Sequence, residues 1–132
     1  MIGNGSKNLV FDTSALVKIA KLEKGAEKVA GLLRTSRCFA SSLSYHELLW
    51  ALGKEDFKSA ASLVSYLEEL LTFVDPNTND SKKSAILRIR HKNLGLSMAD
   101  SIILQLGIDM NASIITSDKQ WSKVEEAKVT IV

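Results

Sequence analysis

Leu9-Val10-Phe11-Asp12-Thr13-Ser14-Ala15-Leu16 is the stretch on which the fold turns. Three apolar residues stop at an acid and two hydroxyl side chains, the pattern of a short buried strand entering a helix through an N-cap cluster. Helical spacing continues through Leu22, with Gly25 near the helix end, and Ala26 to Leu33 forms a further helix with Val29, Leu32 and Leu33 on one side. Cys38-Phe39-Ala40 reads as a second strand, followed by Ser41-Ser42-Leu43-Ser44 and a helix through Leu52, interrupted at Gly53. From Phe57 to Phe73 the residues Ala60, Leu63, Val64, Leu67, Leu70 and Leu71 recur at core-facing helical intervals. Phe73-Val74-Asp75-Pro76 predicts a short edge strand. A basic helix over Asp80 to Asn93 closes at Gly95, and Ser97 opens another helix through Met110. Ser113 to Thr116 is a strand, Asp118 to Lys123 one or two helical turns, and Val129 to Val132 a terminal strand. Strands alternating with helices predict an α/β fold with a mostly parallel central sheet flanked by helices. No linker or internal repeat divides the chain, so one domain over 9–132 is expected, behind a flexible N-terminal leader over 1–8.

Composition narrows the chemistry. The chain has 132 residues, 45% of them hydrophobic and 24% charged, which is enough apolar material for one packed core. Its net charge of +2 falls well short of a dedicated nucleic-acid coat. Cys38 is the only cysteine, and His46 and His91 are the only histidines. Disulfide frameworks and His/Cys zinc cages are therefore excluded, and any metal must be held mainly by oxygen. No run of about 18 apolar residues exists, and the first residues lack the apolar core of a signal peptide. A cytoplasmic protein with no membrane partner is the expectation.

The acids carry the functional signal. Asp12 ends the first strand and Asp118 follows the Ile114-Ile115-Thr116 strand. Glu47 and Asp100 fall in the first turns of their helices. Each has a plain explanation: Ser44-Tyr45-His46-Glu47 fits a capping box, Ser97-Met98-Ala99-Asp100 is its Asp version, and Asp12 and Asp118 fit simple caps. Together they say more. Ligand sites in parallel α/β sheets form outside the carboxyl ends of the strands, where the chain brings these acids. Two carboxylates about 5 Å apart repel by roughly 3 kcal/mol at an effective dielectric near 20, so a cluster of four either protonates in part or holds a cation. An all-oxygen site suits Mg²⁺, with Mn²⁺ as substitute.

Val10-Phe11-Asp12-Thr13-Ser14-Ala15-Leu16, Glu47, Ser97-Met98-Ala99-Asp100-Ser101-Ile102-Ile103 and Thr116-Ser117-Asp118-Lys119-Gln120-Trp121 resemble, in order and spacing, the acidic motifs of the PIN domain. The resemblance runs from the first strand almost to the C-terminus and is nearest to single-domain toxins of the VapC type. It implies a three-layer α/β/α domain and a Mg²⁺- or Mn²⁺-dependent endoribonuclease, the toxin of a toxin–antitoxin pair. Asp12, Glu47 and Asp100 would be its principal metal-site acids, with Asp118 completing the site directly or through water. Ser14 and Thr116 would take the hydroxyl positions that orient acids or water. RNA, a cognate antitoxin protein and a second copy of the chain (a homodimer) are the partners implied. Two features depart from the pattern: a longer leader, and Gly53-Lys54-Glu55-Asp56 interrupting the helices that carry partner contacts in such toxins.

Lys82, Lys83, Arg88, Arg90, His91 and Lys92 form a basic segment before the Ser97 motif. Arg88, Arg90 and Lys92 are candidate RNA contacts; the plain reading is a solvated helix face around Ile86 and Ile89. Tyr45 and His46 sit beside Glu47, where a base could stack, although packing is the simpler role. Trp50 and Trp121 read as core, and Cys38 as buried and inert. The competing function is a catalytically silent PIN-like module that binds a protein or RNA partner. A haloacid-dehalogenase-type phosphatase would want a second Asp at Ser14, and a receiver domain paired acids after its first strand; both fit poorly.

Overall fold

The computed structural model describes residues 7–132. The expected leader over 1–8 lies largely outside the described residues, and the first strand begins at Asn8. In chain order the elements are β1 (Asn8–Phe11), α1 (Thr13–Lys21), α2 (Ala26–Thr35), β2 (Arg37–Ser41), α3 (Ser42–Gly53), α4 (Phe57–Leu70), β3 (Thr72–Val74), α5 (Thr78–Arg90), α6 (Met98–Asp109), β4 (Ser113–Thr116) and β5 (Lys128–Ile131). Short 3-10 turns cover Lys92–Leu94 and Lys119–Lys123. The five strands are all parallel, in the order β3-β2-β1-β4-β5.

Alternation along the strands builds two cores. Leu9, Phe11, Cys38, Ala40 and Ile115 face one side, against Ala15, Leu16, Val29, Leu33, Leu48, Val64 and Leu67 of α1 to α4. Val10 and Ile114 face the other, against Leu87, Ile103, Leu104, Trp121 and Val124. Successive residues of a strand point to opposite faces, so a sheet covered by helices on both faces needs apolar residues at every position. The result is the expected three-layer α/β/α domain. Gly107 lets α6 approach β4, because a Cβ there would collide with the Ile114 side chain.

Three local expectations change. Trp50 is 65% exposed rather than core, with Lys54 Nζ 5.6 Å from its ring centroid. Ser44 and Leu48 form the buried stripe of α3, and a residue two positions beyond Leu48 points away from it. Ser44 is not a cap either. β2 runs to Ser41, whose hydroxyl accepts from Leu43 N at 3.1 Å, so α3 starts at Ser42 and Glu47 lies in its second turn. In α5 the inward residues are Ser84 and Leu87, while Ile86 and Ile89 are exposed, so the basic helix is not organised around those isoleucines. Trp121 is core as expected, although its Nε1–H has no hydrogen-bond partner. Cys38 is buried, and burial pushes its thiol up to about 11, which makes it unreactive. Among the described residues no helix is long and apolar enough to cross a membrane.

Candidate active site

The strand order makes β1 the switch point, since the chain moves from β1 to β2 on one side and reaches β4 on the other. Asp12 follows β1 directly, and its N–H donates to Ile115 O at 2.8 Å, extending the β1–β4 ladder by one bond. This fixes Asp12 beside Thr116 at the carboxyl edge of the sheet.

Asp12 stands at the N-cap of α1 yet makes no side-chain cap bond. Its carboxylate turns instead to two hydroxyls: Ser14 Oγ and Thr116 Oγ1 each donate to Oδ2 at 2.7 Å. Both hydroxyls are oriented from behind. Ser117 N donates to Ser14 Oγ and Asp118 N to Thr116 Oγ1, each at 3.1 Å, so the oxygen of each hydroxyl accepts from the backbone while its proton faces Asp12. Asp12 is 6% exposed. Burial is the largest influence on it and raises its pKa to about 6, against the lowering effect of the Ser14 and Thr116 hydrogen bonds; the Asp100 charge raises it further.

Glu47 reaches the same region from α3. Thr13 Oγ1 lies 2.5 Å from Glu47 Oε1 and 2.9 Å from Ser44 Oγ. Thr13 Oγ1 is the donor to both, so its single proton is shared between the Glu47 carboxylate and the Ser44 hydroxyl. Asp100 heads α6 in a full capping box: Ser97 N donates to Asp100 Oδ2 and Asp100 N to Ser97 Oγ, both at 3.0 Å. Asp118 caps the Lys119–Lys123 turn, accepting from Gln120 N at 2.9 Å, and is exposed. Asp12 and Asp100 are thus within electrostatic reach of each other, and Glu47 and Asp118 adjoin Asp12 through Thr13 and Thr116. Thr13 and Ser44 are the participants missed from sequence, where both read as caps; the Thr13-Ser14 pair directly after Asp12 was the available signal for Thr13.

No three Asp, Glu, His or Cys side chains among the described residues converge tightly enough to cage a metal by themselves. The donor set nonetheless fits a hard cation. Mg²⁺ is held by one or two carboxylates together with waters and phosphate oxygens, and it needs no all-protein cage. Among the described residues, ion pairs engage Asp109 and Glu126 but none of the four candidate acids, so the buried Asp12 charge has no Lys or Arg to balance it.

The basic residues divide. Arg90 lies 3.6 Å from Glu126, which also meets His91 at 2.8 Å. Arg88 Nε donates to Leu96 O at 2.7 Å. Arg88 and Lys92 line a cleft of about 620 Å³ between α5 and the start of α6, with Ile89, Leu96, Met98 and Ile102. Tyr45 packs edge-on against Phe73, centroids 5.1 Å apart, and His46 is exposed.

Among curated proteins none matches the chain. A VapBC2 structure from Rickettsia felis, bound to a DNA fragment from the promoter, contains a chain that superposes with a TM-score of 0.78 at 17% identity, over 94% of this chain and 98% of that one. A toxin–antitoxin complex from Klebsiella pneumoniae matches with a TM-score of 0.71 at 18% identity, over 92% and 95%. VapC20 of Mycobacterium tuberculosis, a sarcin-ricin loop cleaving toxin, matches with a TM-score of 0.74 at 12% identity, over 87% and 93%. At such identities these likenesses establish the fold. The PIN domain family model matches residues 9–127, a span that runs from β1 through β4 and holds the acids from Asp12 to Asp118. The chain belongs to the PIN domain family.

Proposed function

We propose that this protein is a metal-dependent endoribonuclease and the toxin of a toxin–antitoxin pair. The observation that carries the reading is Asp12: a buried carboxylate at the switch point of a parallel sheet, gripped by two hydroxyls, close to a second acid and without a cationic partner among the described residues. An isolated buried charge is costly, and structures keep one where a ligand compensates it. Asp12, Glu47 and Asp100 would hold Mg²⁺ or Mn²⁺, and Asp118 would complete the site directly or through water. When bound, such an ion lowers the pKa of a water and stabilises charge developing on phosphate. Ser14 and Thr116 keep Asp12 in one orientation.

RNA as substrate is supported by the likeness to a sarcin-ricin loop cleaving toxin and by Arg88 and Lys92 in the cleft beside the Asp100 helix. Arg90 is a weaker contact because Glu126 engages it. An antitoxin and a second copy are supported by large apolar side chains left exposed: Leu22, Trp50 and Phe57 in one helical layer, Ile89 and Met98 in the other. The test is cleavage of defined RNAs by the purified protein in Mg²⁺, in Mn²⁺ and in excess chelator. Cleavage with metal and none in chelator is expected. Undiminished activity in chelator contradicts the metal assignment. Binding without cleavage under every metal returns the chain to a silent binding module.

A further inference from the structure

The sheet carries acids at one end and bases at the other. Parallel strands bring all their first residues to one edge, here Asn8 of β1, Arg37 of β2, Ser113 of β4 and Lys128 of β5. Asn8 pairs with Arg37 and Ser113 with Lys128, so the register aligns them across the sheet. With Lys7, just before β1, and Asn111, they line a pocket of about 400 Å³ that no Asp or Glu enters. Among the described residues none of its three cations makes an ion pair. Lys128 Nζ donates only to Asn111 Oδ1, at 2.6 Å. Asp109, the acid adjoining the pocket in sequence, is taken by Lys83 at 2.7 Å and Gln105 at 3.0 Å. The residues preceding Lys7 (1–6) include no acid either.

We propose that this pocket binds the phosphodiester backbone of a polynucleotide, at the end of the sheet remote from Asp12. Unpaired cations interleaved with amide and hydroxyl side chains make an oxyanion site, because Arg and Lys supply charge while Asn and Ser donate neutral hydrogen bonds. The width of the site selects the occupant. Arg37 and Lys128 stand on strands three spacings apart, about 14 Å at the backbone, more than one phosphate spans. A chain carrying successive phosphates meets both. The proposal extends the RNA reading to a second contact region but does not depend on cleavage.

The experiment titrates a short single-stranded RNA by fluorescence anisotropy in excess chelator across a salt series, using the full chain. Arg37→Gln/Lys128→Gln is compared with Lys28→Gln/Lys58→Gln, which removes equal charge from exposed positions on α2 and α4, and thermal melts verify both folds. Loss of two phosphate contacts should weaken binding about tenfold and lower the log–log salt slope by about 1.4. The control variant should change the slope far less. Equal losses in both double variants, or none in the first, overturn the site. Inorganic phosphate that displaces the RNA as well as an unlabelled oligonucleotide does, at equal ionic strength, overturns the polynucleotide assignment. Absence of RNA cleavage with metal, alongside the predicted binding loss, contradicts the nuclease reading alone.

Discussion

Asp12 shows how a single side chain can be held in a conformation that its charge opposes. Its folded pKa of about 6 lies above the 3.8 of an ordinary aspartate. The unfolded chain therefore loses this proton first as pH rises, and metal-free folding stability falls between about pH 4 and 6. The loss is on the order of 3 kcal/mol. Denaturant unfolding in chelator across that range should show the fall, and Asp12→Asn should flatten it. Thr116→Val removes a buried hydroxyl that donates to Asp12 and accepts from Asp118 N. It should cost about 2 kcal/mol at neutral pH and less below pH 4, where Asp12 is protonated. That Asp12 is an acid at a strand end was legible in the sequence. That its carboxylate takes the Ser14 and Thr116 hydroxyls instead of a cap bond was not, because a cap and a ligand share the same residue type and the same position.

At the scale of elements, packing decided what periodicity left open. Trp50 lies between Leu49 and Ala51 yet is 65% exposed, whereas Trp121, between Gln120 and Ser122, is 1% exposed. Trp121→Ala should cost about 3–5 kcal/mol, and Trp50→Ala less than about 1. Trp121→Phe should lie well below Trp121→Ala, because it also removes the unpartnered Nε1–H. Gly107→Ala places a methyl where Ile114 sits, and overpacking of about 1–3 kcal/mol should appear as a lowered urea midpoint with unchanged m. The Ser97–Asp100 capping box was readable because its spacing and its helix start agree. The Ser44–Glu47 box failed because the preceding strand runs to Ser41 and moves the helix start upstream, which is a tertiary constraint.

For the whole molecule, the alternation of strands and helices was enough to give a parallel α/β sheet, since parallel neighbours need crossovers. Strand order was not readable, and it is the order that puts Asp12 beside Thr116 and gathers the bases at the far edge. Charge patterning likewise located the basic helix but not its pairings: Glu126, distant in sequence, takes up Arg90. Lys92→Ala should therefore weaken RNA binding and flatten its salt dependence, while Arg90→Ala leaves both nearly unchanged, as salt-series binding curves would show.

One paired measurement on Asp12→Asn tests whether Asp12 serves a metal rather than the fold. Asn keeps the shape and accepts from Ser14 and Thr116, and no cap bond is lost. A metal ligand at Asp12 gives opposite signs: Mg²⁺-dependent RNA cleavage falls by orders of magnitude, while the melting temperature in chelator at neutral pH holds or rises as a buried charge disappears. An Asp12→Asn protein that melts early in chelator and still cleaves RNA at near-normal rate when folded would show that the carboxylate serves the fold alone.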